Sequence, residues 1–403
     1  MKKRMALCLG GLLMTGALTG ALTGCTQSNA QQNRGQTNQS EVSQVSASPS
    51  KVSRTTNQQI VGKYTMPEEK SEHEGTWLIW PHNYTYGEGT KENLETIWIE
   101  MASALSKGEN VHIIAYDKHE QDYIYDLLYD EGLDMAKFDF YLIPTDDVWA
   151  RDTAPLFVYD KNNDLKLMDW GFNGWGKKTA YKKDAALAKH MSKELGMDRI
   201  DLNGIVLEGG AFELDGNGTF ASTRSAVTNK NRNPKNSEAA IEKVIAENLG
   251  VSNFIWLDGV PGLDITDFHI DGFVKFYDPS TIVTMNKADL KEWGVTNKDV
   301  KTLMNAKNVS GKPYKYVNLP ITKSNVVLDS GEDLGYRGSY INYYVGNDVV
   351  LVPNYYDPQD QKANDIIQKL YPDREVIGID VRELYKDGGM IHCVTQQQPI
   401  RLK

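Results

Sequence analysis

The chain has 403 residues, 40% of them hydrophobic and 24% charged, with a net charge of −10. That composition suits a soluble globular body, long enough for one large domain or two ordinary ones. The acidic balance argues against a nucleic-acid partner, which needs a basic face, and is compatible with a cationic substrate.

Met1-Lys2-Lys3-Arg4 is a basic start, and an apolar run broken by glycines follows from Met5 to about Leu22. This is the layout of an export signal. It closes on Leu22-Thr23-Gly24-Cys25, which resembles the bacterial lipobox. Residues 1–24 are therefore expected to be a lipoprotein signal and Cys25 the lipid attachment site. A plain signal peptide or an uncleaved anchor are the simpler alternatives. Residues 25–60 are rich in Ser, Gln, Asn and Thr. Such a segment cannot bury enough surface to offset its ordering entropy, so a disordered tether is expected. No second apolar run reaches the roughly 20 residues that span a bilayer. The expectation is an exported body, lipid-anchored outside the cytoplasm and touching the membrane through its lipid alone.

The folded domain is expected over 61–403. Leu94, Ile97, Trp98, Met101, Ala102 and Leu105 recur at the helical period and predict a helix over 91–107. A strand is predicted over 111–116. Farther on, 205–213 and 219–222 read as strands across the turn Asp215-Gly216-Asn217-Gly218. A helix follows with Ser237 as N-cap and Gly250 past its end, then a strand over 253–257. The order recurs late: strands over 340–345 and 349–353, a helix over 361–370 and a strand over 375–381. Weaker copies begin near 77, 153 and 272. A repeated strand-strand-helix-strand unit predicts an α/β fold arranged as a ring of blades, with loops from every blade around one cavity.

Of three cysteines, Cys8 lies in the signal and Cys25 would carry lipid, which leaves Cys393 as the free thiol. No CxxC or HExxH spacing exists, so no metal is expected. Four loops carry chemistry: Asp146 to Pro155, Leu207-Glu208-Gly209-Gly210-Ala211, Asp267 to Gly272, and Gly388 to Pro399. Alone, each is bland: a surface ion pair, a bulge, a chance His-x-Asp, a buried cysteine. Together they suit a guanidinium, a planar cation that stays protonated at neutral pH. Asp152 and Asp271 could grip its N–H edges. The thiolate of Cys393 could attack its carbon. His269, two residues before Asp271 on a chain read as extended, could protonate the leaving ammonia and activate water, and Glu208 could hold the imidazole. No organic cofactor is required, and the expected partner is a small cationic guanidino compound.

At these loops the chain resembles the agmatine deiminase family and, more distantly, the bacterial peptidylarginine deiminases of the same superfamily. The likeness runs through Met66-Pro67-Glu68-Glu69, His73-Glu74-Gly75-Thr76-Trp77, Trp149-Ala150-Arg151-Asp152-Thr153, Leu207-Glu208-Gly209-Gly210, Asn229-Lys230-Asn231-Arg232-Asn233-Pro234, Ser339-Tyr340-Ile341-Asn342 and Ile391-His392-Cys393 to Pro399. The resemblance implies a five-bladed α/β propeller, the pentein fold. It implies Cys393 as nucleophile, His269 as acid/base with Glu208 as its partner, and Asp152 and Asp271 as guanidinium ligands. Trp149, Arg151 and Asn342 join them as candidate substrate contacts. One departure is Phe268, where the family usually carries glycine. Agmatine is the leading substrate. Arginine in peptides or another guanidino compound outside the cell is the alternative, and Arg151 and Arg337 are the cations that could hold an arginine carboxylate. A lipid-anchored polyamine-binding protein is the reading from another class.

Overall fold

The computed structural model describes residues 62–402. The expected signal (1–24), Cys25 and the tether (25–60) lie outside them. No helix among the described residues is long and apolar enough to cross a membrane.

The strands of the described residues form five separate sheets. Four follow one plan, an antiparallel hairpin and then a helix leading to a parallel strand. The first holds Leu156–Asp160 and Leu165–Gly171, then helix Leu187–Leu195, then Arg199–Val206, with Tyr64–Thr65 on its edge. The second holds Phe212–Leu214 and Thr219–Thr223, helix Glu238–Leu249 and Asn253–Leu257. The third holds Val274–Asp278 and Thr281–Met285, helices Lys287–Trp293 and Asn297–Met304, and Lys315–Leu319. The fourth holds Tyr344–Val345 and Val349–Asn354, helix Asp360–Leu370 and Glu375–Asp380. The fifth sheet joins the two ends of the described chain. Gln396–Pro399 pairs antiparallel with His73–Ile79, which leads through helix Thr90–Leu105 to the parallel strand Asn110–Ala115 and on to Phe138–Leu142.

Local chemistry explains these elements. Trp77, Leu78 and Ile79 are all fully buried, as expected of a strand flanked on both faces. The helix over 90–105 turns the anticipated residues inward. Ser237 caps helix Glu238–Leu249 by accepting the Ala240 N–H, and Gly250 ends it in the left-handed conformation, where glycine carries no side-chain penalty.

Three predicted segments differ. The strand read over 205–213 breaks, because the backbone leaves the sheet at Gly209. A Cβ there would stand 2.1 Å from the Arg151 carbonyl oxygen, so only glycine fits. Of the strand read over 340–345, only Tyr344–Val345 pairs. Ser339 Oγ instead donates to the Gly272 carbonyl at 2.7 Å and Asn342 Nδ2 to the Asp271 carbonyl at 3.4 Å. His269 and Asp271 do not lie on an extended chain: His269 caps a single 3₁₀ turn, Ile270–Gly272.

These differences share one pattern. The four hairpins and the strand Gln396–Pro399 are each entered through a short turn or bend: Ala150–Thr153, Gly209–Ala211, Ile270–Gly272, residues 339–342 and His392–Val394. The turn at Ala150–Thr153 packs against those at Gly209–Ala211 and His392–Val394, and Gly209–Ala211 packs against Ile270–Gly272. The repeat thus collects five strand entrances around one place.

Candidate active site

Cys393 sits in the turn His392–Val394 and is half-buried. Its thiol donates to Asn342 Oδ1 at 3.5 Å and lies 3.9 Å from Asp271 Oδ2. Burial pushes the thiol well above its usual range, and the charges of Asp271 and Asp152 push it further. At rest the sulfur is a thiol; the thiolate needs a cation brought to it. Four residues earlier, Gly389 makes room for the Trp149 ring, which would stand 2.1 Å from a Cβ there. The glycine-rich turn therefore serves Trp149 packing, and Trp149 itself is 8% exposed.

His269 Nε2 lies 3.3 Å from Glu208 Oε2, and its Nδ1 lies 3.7 Å from Asp152 Oδ2. Burial alone would lower this imidazole. The charges of Asp152, Glu208 and Asp271 outweigh it and carry His269 to about 9, so the ring is protonated at neutral pH. Glu208 is fixed by the fully buried Arg232, whose Nε donates to Oε1 at 2.6 Å. The same guanidinium donates to Asp267 Oδ2 at 2.8 Å and to the Thr266 carbonyl at 3.0 Å. Asp267 and Phe268 both have positive φ, 62° and 78°, a conformation costing a non-glycine residue about 1–2 kcal/mol. The ties of Asp267 to Arg232 and Lys178, and the stacking of Phe268 on Phe273 with ring centroids 4.9 Å apart, hold this bend and aim His269 inward. Phe268 thus takes a backbone conformation that glycine adopts freely.

The two aspartates differ. Asp152 accepts only neutral donors, Gly210 N–H at 2.9 Å and Trp175 Nε1 at 2.8 Å. Burial raises its carboxyl; the pull of His269 is opposed by the nearby charges of Glu208 and Asp271. Asp271 meets burial too, but the His392 ring on its Oδ2 at 2.9 Å, with His269 and Lys275 nearby, holds it below the usual range. Between them stands Gly210. A Cβ on it would lie 2.8 Å from His269 Nδ1, 2.9 Å from Asp271 Oδ2 and 3.0 Å from Asp152 Oδ1. One small space is therefore ringed by an imidazolium and two carboxylates, with the sulfur of Cys393 beside it.

Cys393, His269, Glu208, Asp152, Asp271 and Asn342 thus converge. Arg151, expected among the substrate contacts, does not face this space. Its guanidinium is buried behind the cysteine turn, donating to Gln397 Oε1 at 2.9 Å and the His392 carbonyl at 3.3 Å, and lying 3.6 Å from Glu69. The residue binds the two strand entrances together. Sequence reasoning gave no role to His392, Glu69, Lys275 or Gly210's central position. His392 Nε2 lies 2.8 Å from Glu69 Oε2, and Glu69 is also met by Lys275 at 3.2 Å. The signal was available: Glu69 and His392 both lie in stretches that carry the family resemblance.

Fold and site define the class: a hydrolase acting on guanidino groups, on an α/β fold of the pentein type. Residues 65–399 match the family model described as Porphyromonas-type peptidyl-arginine deiminase, and the chain belongs to that family. It is 30% identical over 357 residues to the agmatine deiminase of Stutzerimonas stutzeri (strain A1501), covering 83% of this chain and 95% of that one. Among solved structures it resembles the agmatine deiminase of Enterococcus faecalis, with a TM-score of 0.75, 26% identity, and coverage of 84% of this chain and 97% of the other. It resembles the C. jejuni agmatine deiminase with substrate bound similarly, with a TM-score of 0.72, 25% identity, and coverage of 84% and 97%.

Proposed function

We propose that this chain deiminates agmatine to N-carbamoylputrescine and ammonia through a covalent amidino-cysteine at Cys393. The observation that carries the reading is the space around Gly210, where two carboxylates and an imidazolium meet beside a thiol. A guanidinium placed there adds a cation beside Asp152 and Cys393 and favours the thiolate, whose proton leaves to solvent. Asp152 and Asp271 hold the plane of the group. The sulfur attacks the central carbon, forming a C–S bond. As the tetrahedral adduct collapses, a C–N bond breaks and His269 gives its proton to the departing ammonia. The neutral imidazole then takes a proton from water, whose oxygen attacks the same carbon. The C–S bond breaks, the adduct's hydroxyl proton passes to the departing sulfur, restoring the resting thiol, and a neutral ureido product leaves. Glu208, held by Arg232, keeps the imidazole oriented throughout.

Agmatine has no carboxylate and needs no further cation. Arg151 is engaged as described, and Arg337 donates to the Thr322 carbonyl at 2.6 Å and meets Glu292 at 2.9 Å. Neither is offered to a substrate carboxylate. Ammonia release from agmatine, free arginine and an arginine peptide, measured side by side, is expected to give the highest kcat/KM on agmatine. A preference for the peptide selects peptidylarginine deimination, which the family description favours. Binding of polyamines without ammonia release from any of the three selects the binding-protein reading.

The five units are read as blades of one closed five-bladed α/β propeller, since their entrances meet around a common site. The body is read as exported and held to the membrane through a lipid on Cys25, on the strength of the lipobox-like segment. Fractionation of cells is expected to find the full chain with membranes and C25A in the soluble exported fraction. An unchanged distribution removes the lipid anchor from this account.

A further inference from the structure

The site holds a second buried histidine that takes no part in the steps above. His392 is 2% exposed and directly precedes Cys393. Its Nδ1 lies 2.9 Å from Asp271 Oδ2 and its Nε2 lies 2.8 Å from Glu69 Oε2. Ionised carboxylates only accept. A ring between two ionised carboxylates can donate to both only as an imidazolium. Its backbone is pinned as well: the N–H donates to Asn342 Oδ1 at 3.0 Å, and the carbonyl accepts from Arg151 Nε. Behind Glu69 stand Lys275 and Arg151, and Lys275 also reaches Glu213 at 3.5 Å. Across Asp271 stands His269. Asp152 and the Cys393 thiol, 3.9 Å from Asp271 Oδ2, complete the titratable groups on that side.

We propose that His392 is a positioning residue of the deimination: clamped between Glu69 and Asp271 as an imidazolium, it keeps Asp271 an ionised carboxylate aimed at the guanidinium. The two substrate-gripping aspartates are then unequal by construction. Asp271 has the His392 ring within hydrogen-bonding distance, whereas Asp152 is hydrogen-bonded by neutral donors alone, with the His269 ring farther off at 3.7 Å. Two unpaired carboxylates in so small a space would share a proton, and a neutral acid grips a cation poorly. His392 prevents that sharing.

The inference rests on the deimination reading and is tested by binding, apart from turnover. In a C393A background, affinity for agmatine, or for the arginine peptide should the assay above select it, is titrated against pH with and without H392Q. Gln keeps one hydrogen bond and removes the charge. Without the imidazolium Asp271 takes up a proton more readily, so binding is lost earlier as pH falls. The ratio of the two dissociation constants is expected to widen as pH falls from about 8 to about 4, by up to about tenfold for each unit the Asp271 carboxyl is raised and fully only below its raised value. A purely structural role weakens binding equally at all pH, and a constant ratio overturns the proposal. E69Q, which keeps the imidazole but removes its outer carboxylate, is expected to shift binding in the same direction by less, and it decides alone should H392Q not fold. Failure of C393A to bind any guanidino compound counts against the deimination reading instead.

Discussion

Replacing Cys393 by alanine is expected to lower kcat for ammonia release by about 10⁴-fold or more, with the melting temperature and guanidino binding retained. The loss is that large because no other group can form the bond to carbon. His269 is protonated at neutral pH and is an acid before it can be a base. The surrounding carboxylates repel one another and are committed to holding the cation. The change removes one half-buried sulfur whose hydrogen-bond partners are Asn342 and Asp271, both with other ties, so the fold has little to lose. Turnover by C393A within a hundredfold of wild type would show that hydrolysis proceeds without the covalent intermediate.

The second large effect comes from a single methyl group. Gly210→Ala is expected to lower kcat/KM by at least about 10²-fold while the protein still folds, since displacements near 1 Å at a reacting centre cost that much. The new Cβ would stand 3.0 Å or less from three polar atoms, on His269, Asp271 and Asp152. None of the three is free to give way, because each is buried and tied to a further partner. Gly210 is not among the residues with positive φ, so alanine meets no backbone penalty there and the loss reads out occupied space. Gly272→Ala is the control, sitting in the adjoining turn with only Trp293 nearby, at 3.6 Å. It is expected to lose far less. Equal losses in both variants would mean that the turns resist any added side chain and that the space at Gly210 is not where chemistry happens.

The loops that carry Glu208, His269, Asp271 and Cys393 could be read from the chain because each combines a chemically distinctive residue with glycines or a cap. The helices and parallel strands could be read because each holds its period over many residues, as in Thr90–Leu105. What could not be read are the strand entrances. Gly209–Ala211, Ile270–Gly272 and His392–Val394 span three residues each, too few for any periodicity, and local bonding rather than propensity shapes them. The ionic framework behind the site was equally hidden. Glu69 meets Lys275 and His392 from more than 200 positions away, and only the folded chain shows that an acid in one motif answers a histidine in another. Arg151 shows the converse. Its place beside Asp152 suggested a shared duty, yet neighbours in a turn point to opposite sides, one toward substrate and one into the packing.

The sheet built from both ends of the described chain has a consequence for biosynthesis. Gln396–Pro399 supplies the outer strand for His73–Ile79, and the reactive sulfur lies three residues before it. A polypeptide still emerging from the ribosome possesses the aspartates and the histidine of the site but neither the thiol nor the strand that seats it. Reactivity toward guanidino compounds therefore waits until residues 393–399 have been made, and a chain that stops before them is inert.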